Sequence, residues 1–240
     1  MFESLSEHYA EDLLETVLQF RSRGESYERP DDVNALLELF PLVSVRQGYI
    51  LDYIQGETSS GMTLPIRPFA RPDSEDGWAP IFDTSDEPGR EELVEELYSY
   101  LEFQPTPNGL FEYAFFVIEL WSLRASRHAA EWLESMPIFS APRFDEILGL
   151  AKKVDDLKRP DQFCPEARCD GEGGRIRFLV HTPVGWERIY YLESMVYADG
   201  FVDQEAGEIV ADLGTGQLFY VNCSRSIVLG QTRYQLRGQH

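Results

Sequence analysis

The 240-residue chain carries 42 acidic and 21 basic residues, a formal net charge of −21. This charge should repel nucleic acid and anionic membranes, so we predict that the chain binds neither. Hydrophobic residues make up 43% of the chain and aromatic residues 13%, which is typical of a folded globular protein. The three cysteines, a low and odd number, do not favour a disulfide-stapled secreted domain.

The N-terminal sequence and the most apolar stretch of the chain give an expectation for localisation. The first fifteen residues, MFESLSEHYAEDLLE, lack the basic and apolar regions of a signal peptide. The most apolar stretch, Leu110 to Leu123, contains Glu112 and Glu119 and is shorter than the roughly 20 residues that span a membrane. We therefore expect a soluble, cytoplasmic protein.

Two amphipathic helices are predicted in the first forty residues. Ser4 and Glu7 have the spacing of a capping box, and apolar residues follow at helical intervals as far as Gly24. A shorter helix is predicted from Val33 to Phe40, because Pro41 then ends it.

Extended structure is predicted next. β-Branched and aromatic residues flank Gln47–Gly48, which predicts a hairpin, and the prolines of residues 63–70 favour an edge strand. Residues 71–88 are rich in Pro, Gly, Asp and Ser and are predicted to form a loop. From Arg90 to Leu101 the apolar residues share one helical face.

The middle of the chain is predicted to be helical. Thr106 and Pro107 have the pattern of a helix cap and a first-turn proline. The helix that they begin is predicted to run through Met136, and its first half is hydrophobic nearly all round, so we expect it to be the central buried helix. Another helix is predicted from Phe144 to Leu157.

The last eighty residues are predicted to form strands at 174–181, 187–197, 207–213 and 217–223, with Gly-Thr-Gly as a hairpin turn between the last two. Because helices and strands do not alternate regularly, we predict an α+β fold in which a mixed or antiparallel sheet packs on the central helix, with flanking helices. We expect one compact domain over residues 1–240. Residues 1–84 supply two helices, a hairpin and an edge strand, residues 85–160 are helical, and residues 161–240 are mainly strands.

The acidic stretch from Arg71 to Leu97 could serve as a metal site, as a mimic of nucleic-acid charge, or as solvated surface. It lacks the spacing of a calcium loop, and its acids are mixed with turn and aromatic residues, which is typical of a contact surface. We therefore predict a non-enzymatic acidic binding protein, in its most concrete form an immunity or inhibitor protein that docks on a basic partner such as a toxin. A solvated loop whose aromatics fold onto the core is the alternative. The predicted partner-binding residues are Asp73, Glu75, Asp76, Trp78, Asp83, Asp86 and Glu87.

The competing prediction is a small hydrolase-like enzyme whose site is assembled from the C-terminal strands. Its candidate catalytic residues are His181, Glu187 and Glu193, because His181 ends one predicted strand and both glutamates lie on the next. Ion pairs with Arg177 or Arg188 are the structural alternative for these glutamates. No complete catalytic motif supports the enzyme, and residues 56–63 lack the lysine of a phosphate-binding loop.

Cys164, Cys169, His181 and Cys223 are weak candidates for a zinc site, because their sulfur and nitrogen atoms are suitable ligands. The usual zinc motif has a second close pair of ligands after the first pair, and this sequence has none. The sequence therefore predicts no metal and no cofactor.

Overall fold

The structure is a computed structural model that describes residues 2–23, 33–54, 67–74, 96–122, 135–183 and 186–215. Its helices are α1 (Glu7–Arg23), α2 (Val33–Leu37), α3 (Pro107–Ser122) and α4 (Ala141–Leu150), and residues 96–100 form a further helical turn. Its strands are β1 (Glu3–Ser4), β2 (Val43–Val45), β3 (Tyr49–Ile54), β4 (Arg67–Pro72), β5 (Leu101–Phe103), β6 (Met136–Ile138), β7 (Glu166–Asp170), β8 (Gly173–Thr182), β9 (Trp186–Val196) and β10 (Val202–Thr215). The predicted α+β class is confirmed.

The main sheet has six strands, and every pairing in it is antiparallel. The strand order is β1-β7-β8-β9-β10, and β6 pairs with β8 beyond the end of β7. Two small sheets, β2 with β5 and β3 with β4, complete the described strands. None of the described helices is long and apolar enough to cross a membrane.

Helix α3 is the central buried helix, as predicted. The Gly109 N–H donates to Thr106 Oγ1 at 3.1 Å, and the Leu110 N–H donates to the Thr106 carbonyl at 2.9 Å, so Thr106 caps the helix. A side chain at Gly109 would place its Cβ 2.1 Å from the Gln104 carbonyl oxygen, so glycine is needed there. Every residue from Gly109 to Leu120 is buried, including two glutamates.

Hydrophobic clusters cover both faces of the main sheet. Phe178 and Val180 of β8 belong to the larger cluster with α1, α2 and α3, whereas Leu179 between them belongs to a smaller cluster with Phe144 of α4. Side chains alternate between the two faces of a strand, so a strand buried on both faces becomes a continuous apolar run. The sequence Phe-Leu-Val in β8 is such a run.

The predicted hairpin at Gln47–Gly48 is wrong, although Gly48 does form a turn with φ +86°. Strand β2 pairs with β5 and β3 pairs with β4, so the chain turns from one small sheet into another. The Arg46 N–H donates to the Tyr100 carbonyl at 2.8 Å and extends the β2–β5 pairing up to this turn. The prediction that prolines mark an edge strand is confirmed for β4, which among the described strands pairs with β3 alone.

Several predicted boundaries are also corrected. Ser6, and not Ser4, precedes α1 and accepts the Ala10 N–H, because Ser4 already pairs with β7. Met136 lies in β6 and not in a helix, since it pairs with β8. Leu101 begins β5 instead of ending a helix.

The region after α4 differs from the prediction because it joins the main sheet. Helix α4 ends at Leu150, not at Leu157. The Asp155 N–H donates to the Asp212 carbonyl at 2.8 Å and the Lys158 N–H to the Val210 carbonyl at 2.8 Å, so sheet hydrogen bonds replace helical ones. Strand β10 itself continues through Gly214, where the register with β9 shifts, so the predicted Gly-Thr-Gly turn is a bulge at its first glycine. The predicted strand at 217–223 lies outside the described residues.

Candidate functional site

Asp73 is the one residue of the predicted partner-binding set that the structure describes. It is exposed in the turn after β4, and its N–H donates to the Gly48 carbonyl at 2.9 Å. Its role in partner binding stays a prediction. The remaining six, Glu75, Asp76, Trp78, Asp83, Asp86 and Glu87, lie outside the described residues.

Two described acids of this acidic stretch, Asp73 and Glu96, adjoin one aromatic cluster. Asp73 is hydrogen-bonded to the residue before Tyr49, whose ring centroid lies 4.5 Å from that of Tyr100. The Arg46 guanidinium lies 5.2 Å from the Tyr100 ring centroid. Burial, the neighbouring Tyr49 and the charge of Glu96 raise the pKa of Tyr100.

An acidic face on α1 was not singled out from the sequence. Glu7, Asp12 and Glu15 are exposed, and no ion pair joins any of them to a lysine or arginine within the described ranges. The Nε2 atom of His8 lies 3.4 Å from Asp12 Oδ2. The available signal was the set of acids Glu7, Glu11, Asp12 and Glu15 on a predicted helix, of which Glu11 is paired with Arg143. We call Glu7, Asp12 and Glu15 the α1 acidic face.

Most of the described lysine and arginine side chains are already engaged by carboxylates. Their positive charge is therefore neutralised locally, and the excess acids dominate the field at the surface. The ion pairs join Arg21 to Glu119, Arg71 to Asp52, Arg143 to Glu11, Lys153 to Asp155, Lys158 to Glu208, Arg159 to Asp145, Arg168 to Asp170 and Arg177 to Glu166.

Two buried glutamates of α3 hold α1 against the core. Glu112 is 1% exposed and accepts hydrogen bonds from the Tyr9 hydroxyl and from the Leu42 N–H, the latter at 2.7 Å. Glu119 accepts two bonds from Arg21, at 2.9 Å from Nε and 2.5 Å from Nη2. Burial raises the pKa of Glu112, and burial together with Glu112 raises the pKa of Tyr9. These contacts fix the side of α1 that faces the core and so present the acidic face to solvent.

His181 and Glu187, two of the predicted catalytic residues, are in contact. His181 of β8 lies opposite Ile189 of β9, and Glu187 projects from the same face two residues earlier. The His181 Nε2 and Glu187 Oε1 atoms are 3.0 Å apart, and the two side chains are 14% and 25% exposed. A carboxylate in this position orients an imidazole ring.

Glu193 does not join this pair. It lies six residues beyond Glu187 on β9, a separation of about 20 Å along an extended strand. It lies opposite Arg177, but the Arg177 ion pair is made with Glu166 of β7. Arg188 stacks on a tyrosine ring at 5.1 Å, so neither arginine forms a described ion pair with Glu187 or Glu193.

Two of the described zinc candidates, Cys169 and His181, are far apart. Cys164 and Cys169 are free thiols, and Cys169 lies opposite Gly174 on β8, seven residues from His181, or about 23 Å along the strand. Burial raises the pKa of Cys169, which favours its thiol form over the metal-binding thiolate. No group of three His, Cys, Asp or Glu residues suited to a metal occurs in the described ranges. Cys223 lies outside them.

Comparisons with protein-family models, with curated proteins and with solved structures find no match to this chain. The structure defines an α+β protein in which, among the described residues, most lysines and arginines pair with carboxylates while the α1 acidic face has no lysine or arginine partner. Its function is therefore argued from these surfaces and from the His181–Glu187 pair.

Proposed function

We propose that the chain is a non-enzymatic binding protein that docks an acidic surface on a basic protein partner. The observation that carries the proposal is the α1 acidic face, whose three carboxylates are exposed and without a lysine or arginine partner in the described part of the chain. A helix pinned to the core by Glu112 and Glu119 presents these charges from a rigid element. Rigid presentation lowers the entropic cost of binding.

The net charge of −21 supports this proposal through long-range attraction. The first hundred residues carry 22 acids and 7 bases, so the α1 acidic face and the predicted stretch at 73–87 belong to the same acidic part of the sequence. Charges of one sign raise the association rate of an oppositely charged protein, and salt screens the effect over about 8 Å at physiological ionic strength. We therefore expect fast, salt-sensitive association.

The most concrete form of the proposal is a cytoplasmic immunity or inhibitor protein. A toxin that acts on nucleic acid has a positively charged active site, because it must bind phosphates. Carboxylates can occupy the positions of these phosphates and block the site. This form gives a reason for a strong negative charge on a protein that is predicted not to bind nucleic acid.

The test compares two triple variants with the same net charge. The first removes the α1 acidic face by Glu7→Gln, Asp12→Asn and Glu15→Gln. The second is a control with three changes at exposed acids elsewhere, Glu102→Gln, Glu172→Gln and Asp199→Asn. Wild type and both variants are immobilised, and basic proteins from a lysate of the source cells are captured at low salt and at about 0.3 M salt.

We expect one or more basic proteins to bind the wild type and the control at low salt, to bind the α1 variant more weakly, and to elute as salt rises. Equal loss in both variants would mean that net charge alone attracts the partner. Capture of no basic protein, or capture that ignores salt, would contradict the proposal.

The contact between His181 and Glu187 favours a second candidate, a hydrolase-like enzyme with His181 as general base and Glu187 as its orienting carboxylate. Glu193 has no part in this version, because it lies along the strand from the pair. Hydrolysis of a panel of ester and phosphoester substrates tests it, with His181→Gln and Glu187→Gln as variants. Activity that both variants lower, with a pH profile that Glu187→Gln shifts, would support the enzyme. Activity equal in all three proteins would remove it.

A further inference from the structure

Trp186, at the start of β9, is an exposed tryptophan held in one orientation. The residue is 57% exposed, and its indole N–H donates to Asp212 Oδ2 at 2.8 Å. The other carboxylate oxygen, Oδ1, accepts the Gly214 N–H at 2.9 Å. The backbone of Asp212 is fixed in turn by reciprocal hydrogen bonds with Asp155 at 2.8 and 3.1 Å. The ring is therefore oriented before any partner binds.

Trp186 of β9 and Ile209 of β10 are exposed apolar residues, whereas Tyr190 is buried at 8% exposure. Trp186 and Tyr190 lie on the same face of β9, because they are four residues apart along the strand. Ile209 of β10 lies opposite Tyr190 and is 44% exposed. An exposed tryptophan in a fixed position is typical of contact surfaces, and tryptophan is especially frequent among residues that dominate binding energy.

Asp212 places a carboxylate directly beside the Trp186 ring. Asp212 is bonded to the Gly214 N–H and the Trp186 indole, and these bonds, with Lys153 and Arg188 nearby, hold the pKa of Asp212 below its usual range. Its carboxylate is therefore ionised at neutral pH. Of the two nearby positive charges, Lys153 pairs with Asp155, and Arg188 lies over the Tyr190 ring, a contact that orients its guanidinium without neutralising it.

We propose that Trp186 and Asp212 form the contact for an arginine side chain of the basic partner. This inference rests on the proposed function and names one place where that partner binds. A guanidinium stacks on an aromatic ring by a cation–π interaction, and tryptophan is the best ring for this contact. Each carboxylate oxygen of Asp212 uses one hydrogen bond in the fold and can accept another, so the carboxylate can bind the guanidinium edge while the ring binds its face.

The test uses a capped tri-arginine peptide as the probe, with a capped tri-alanine peptide as the uncharged comparison. The ¹H–¹⁵N indole signal of Trp186, identified by its absence in Trp186→Phe, reports on the ring directly in the intact protein. Binding of the tri-arginine peptide is then compared among wild type, Trp186→Ala and Tyr197→Ala. Tyr197 is a matched control, because it is 45% exposed and follows the opposite end of β9.

We expect tri-arginine, but not tri-alanine, to shift the Trp186 indole signal in wild type. We expect Trp186→Ala to weaken tri-arginine binding by about two- to fivefold, as for an exposed cation–π contact, and Tyr197→Ala to leave it unchanged. Asp212→Asn, which keeps the shape of the side chain, should also weaken binding.

The outcomes separate this inference from the proposed function. Salt-sensitive binding of tri-arginine with an unmoved Trp186 signal, or with equal effects of the two alanine variants, would overturn the Trp186 contact and leave the basic partner in place. Absence of any binding of tri-arginine would overturn both.

Discussion

Replacement of Arg21 by alanine should destabilise the protein far more than loss of an exposed ion pair does. Arg21 donates two hydrogen bonds to Glu119, whose side chain is 3% exposed, and the arginine itself is 14% exposed. Arg21→Ala would leave a buried carboxylate without this cation, and breaking a buried pair costs roughly 3–5 kcal/mol. Because Arg21 retains some contact with water, we expect Arg21→Ala to lower the free energy of unfolding by about 3 kcal/mol. For a chain of this size, that loss corresponds to a fall in Tm of about 6–12 °C.

Urea unfolding followed by far-UV circular dichroism at pH 7 measures this loss. Lys158→Ala is the matched control, since the Lys158–Glu208 pair is 64% and 61% exposed and should contribute little. The double variant Arg21→Leu with Glu119→Leu should recover most of the loss, because it leaves no unpaired buried charge. If Arg21→Ala costs no more than Lys158→Ala, the claim that this pair fastens α1 to α3 is wrong.

Three further predictions concern the same framework. Burial raises the pKa of Glu112 in the folded state, so the stability of the wild type should decline as pH rises from about 4.5 through the raised pKa. The stability of Glu112→Gln should decline less over the same range. Urea unfolding over about pH 4.5–8 measures both. Gly200→Ala should lower the free energy of unfolding by about 1–3 kcal/mol, since φ is +83° and the new Cβ would lie 2.8 Å from the Tyr113 hydroxyl. Gly149→Ala has open space in α4 and should raise the free energy of unfolding by roughly 0.5–1 kcal/mol. Thermal unfolding compares the two variants. Thr106→Ala should cost about 1 kcal/mol by removal of the α3 cap, and an unchanged urea midpoint would contradict the capping role.

The parts of the fold that follow from local sequence were predicted well. The Thr106–Pro107 cap and the apolar sequence of α3 are local signals of a buried helix, and the structure has both. The β-branched and aromatic residues of β8 and β9, between Pro and Gly turns, likewise predict strands without reference to other parts of the chain.

Pairing between distant segments could not be predicted from local sequence. Nothing near Gln47–Gly48 indicates that β2 pairs with residues more than fifty positions away, because that partner is chosen by packing against α3. Met136 and residues 155–158 also depend on the main sheet, since β8 and β10 supply their hydrogen-bond partners. In these segments, the hydrogen bonds that an available strand edge offers decide the secondary structure more strongly than the helical periodicity of the sequence does.

The candidate site, too, could be predicted where it depends on local sequence and not where it depends on contacts between distant segments. His181 and Glu187 could be placed together because they flank a short turn, whereas Glu193 was misjudged because reach across a hairpin does not extend along a strand. The α1 acidic face was visible as a set of acids on a predicted helix, but its exposure depends on Glu112 and Glu119, which the sequence shows only as interruptions of an apolar run.

The most direct test of the central claim is the association rate constant of the captured basic partner with wild type and with the α1 variant, Glu7→Gln, Asp12→Asn and Glu15→Gln, at low and at physiological ionic strength. The acidic-surface account predicts that the wild-type rate falls steeply with salt, and that the α1 variant associates at least about threefold more slowly at low salt with little change in its dissociation rate. A wild-type rate that does not depend on salt, or an α1 variant that associates as fast as wild type, would contradict the account.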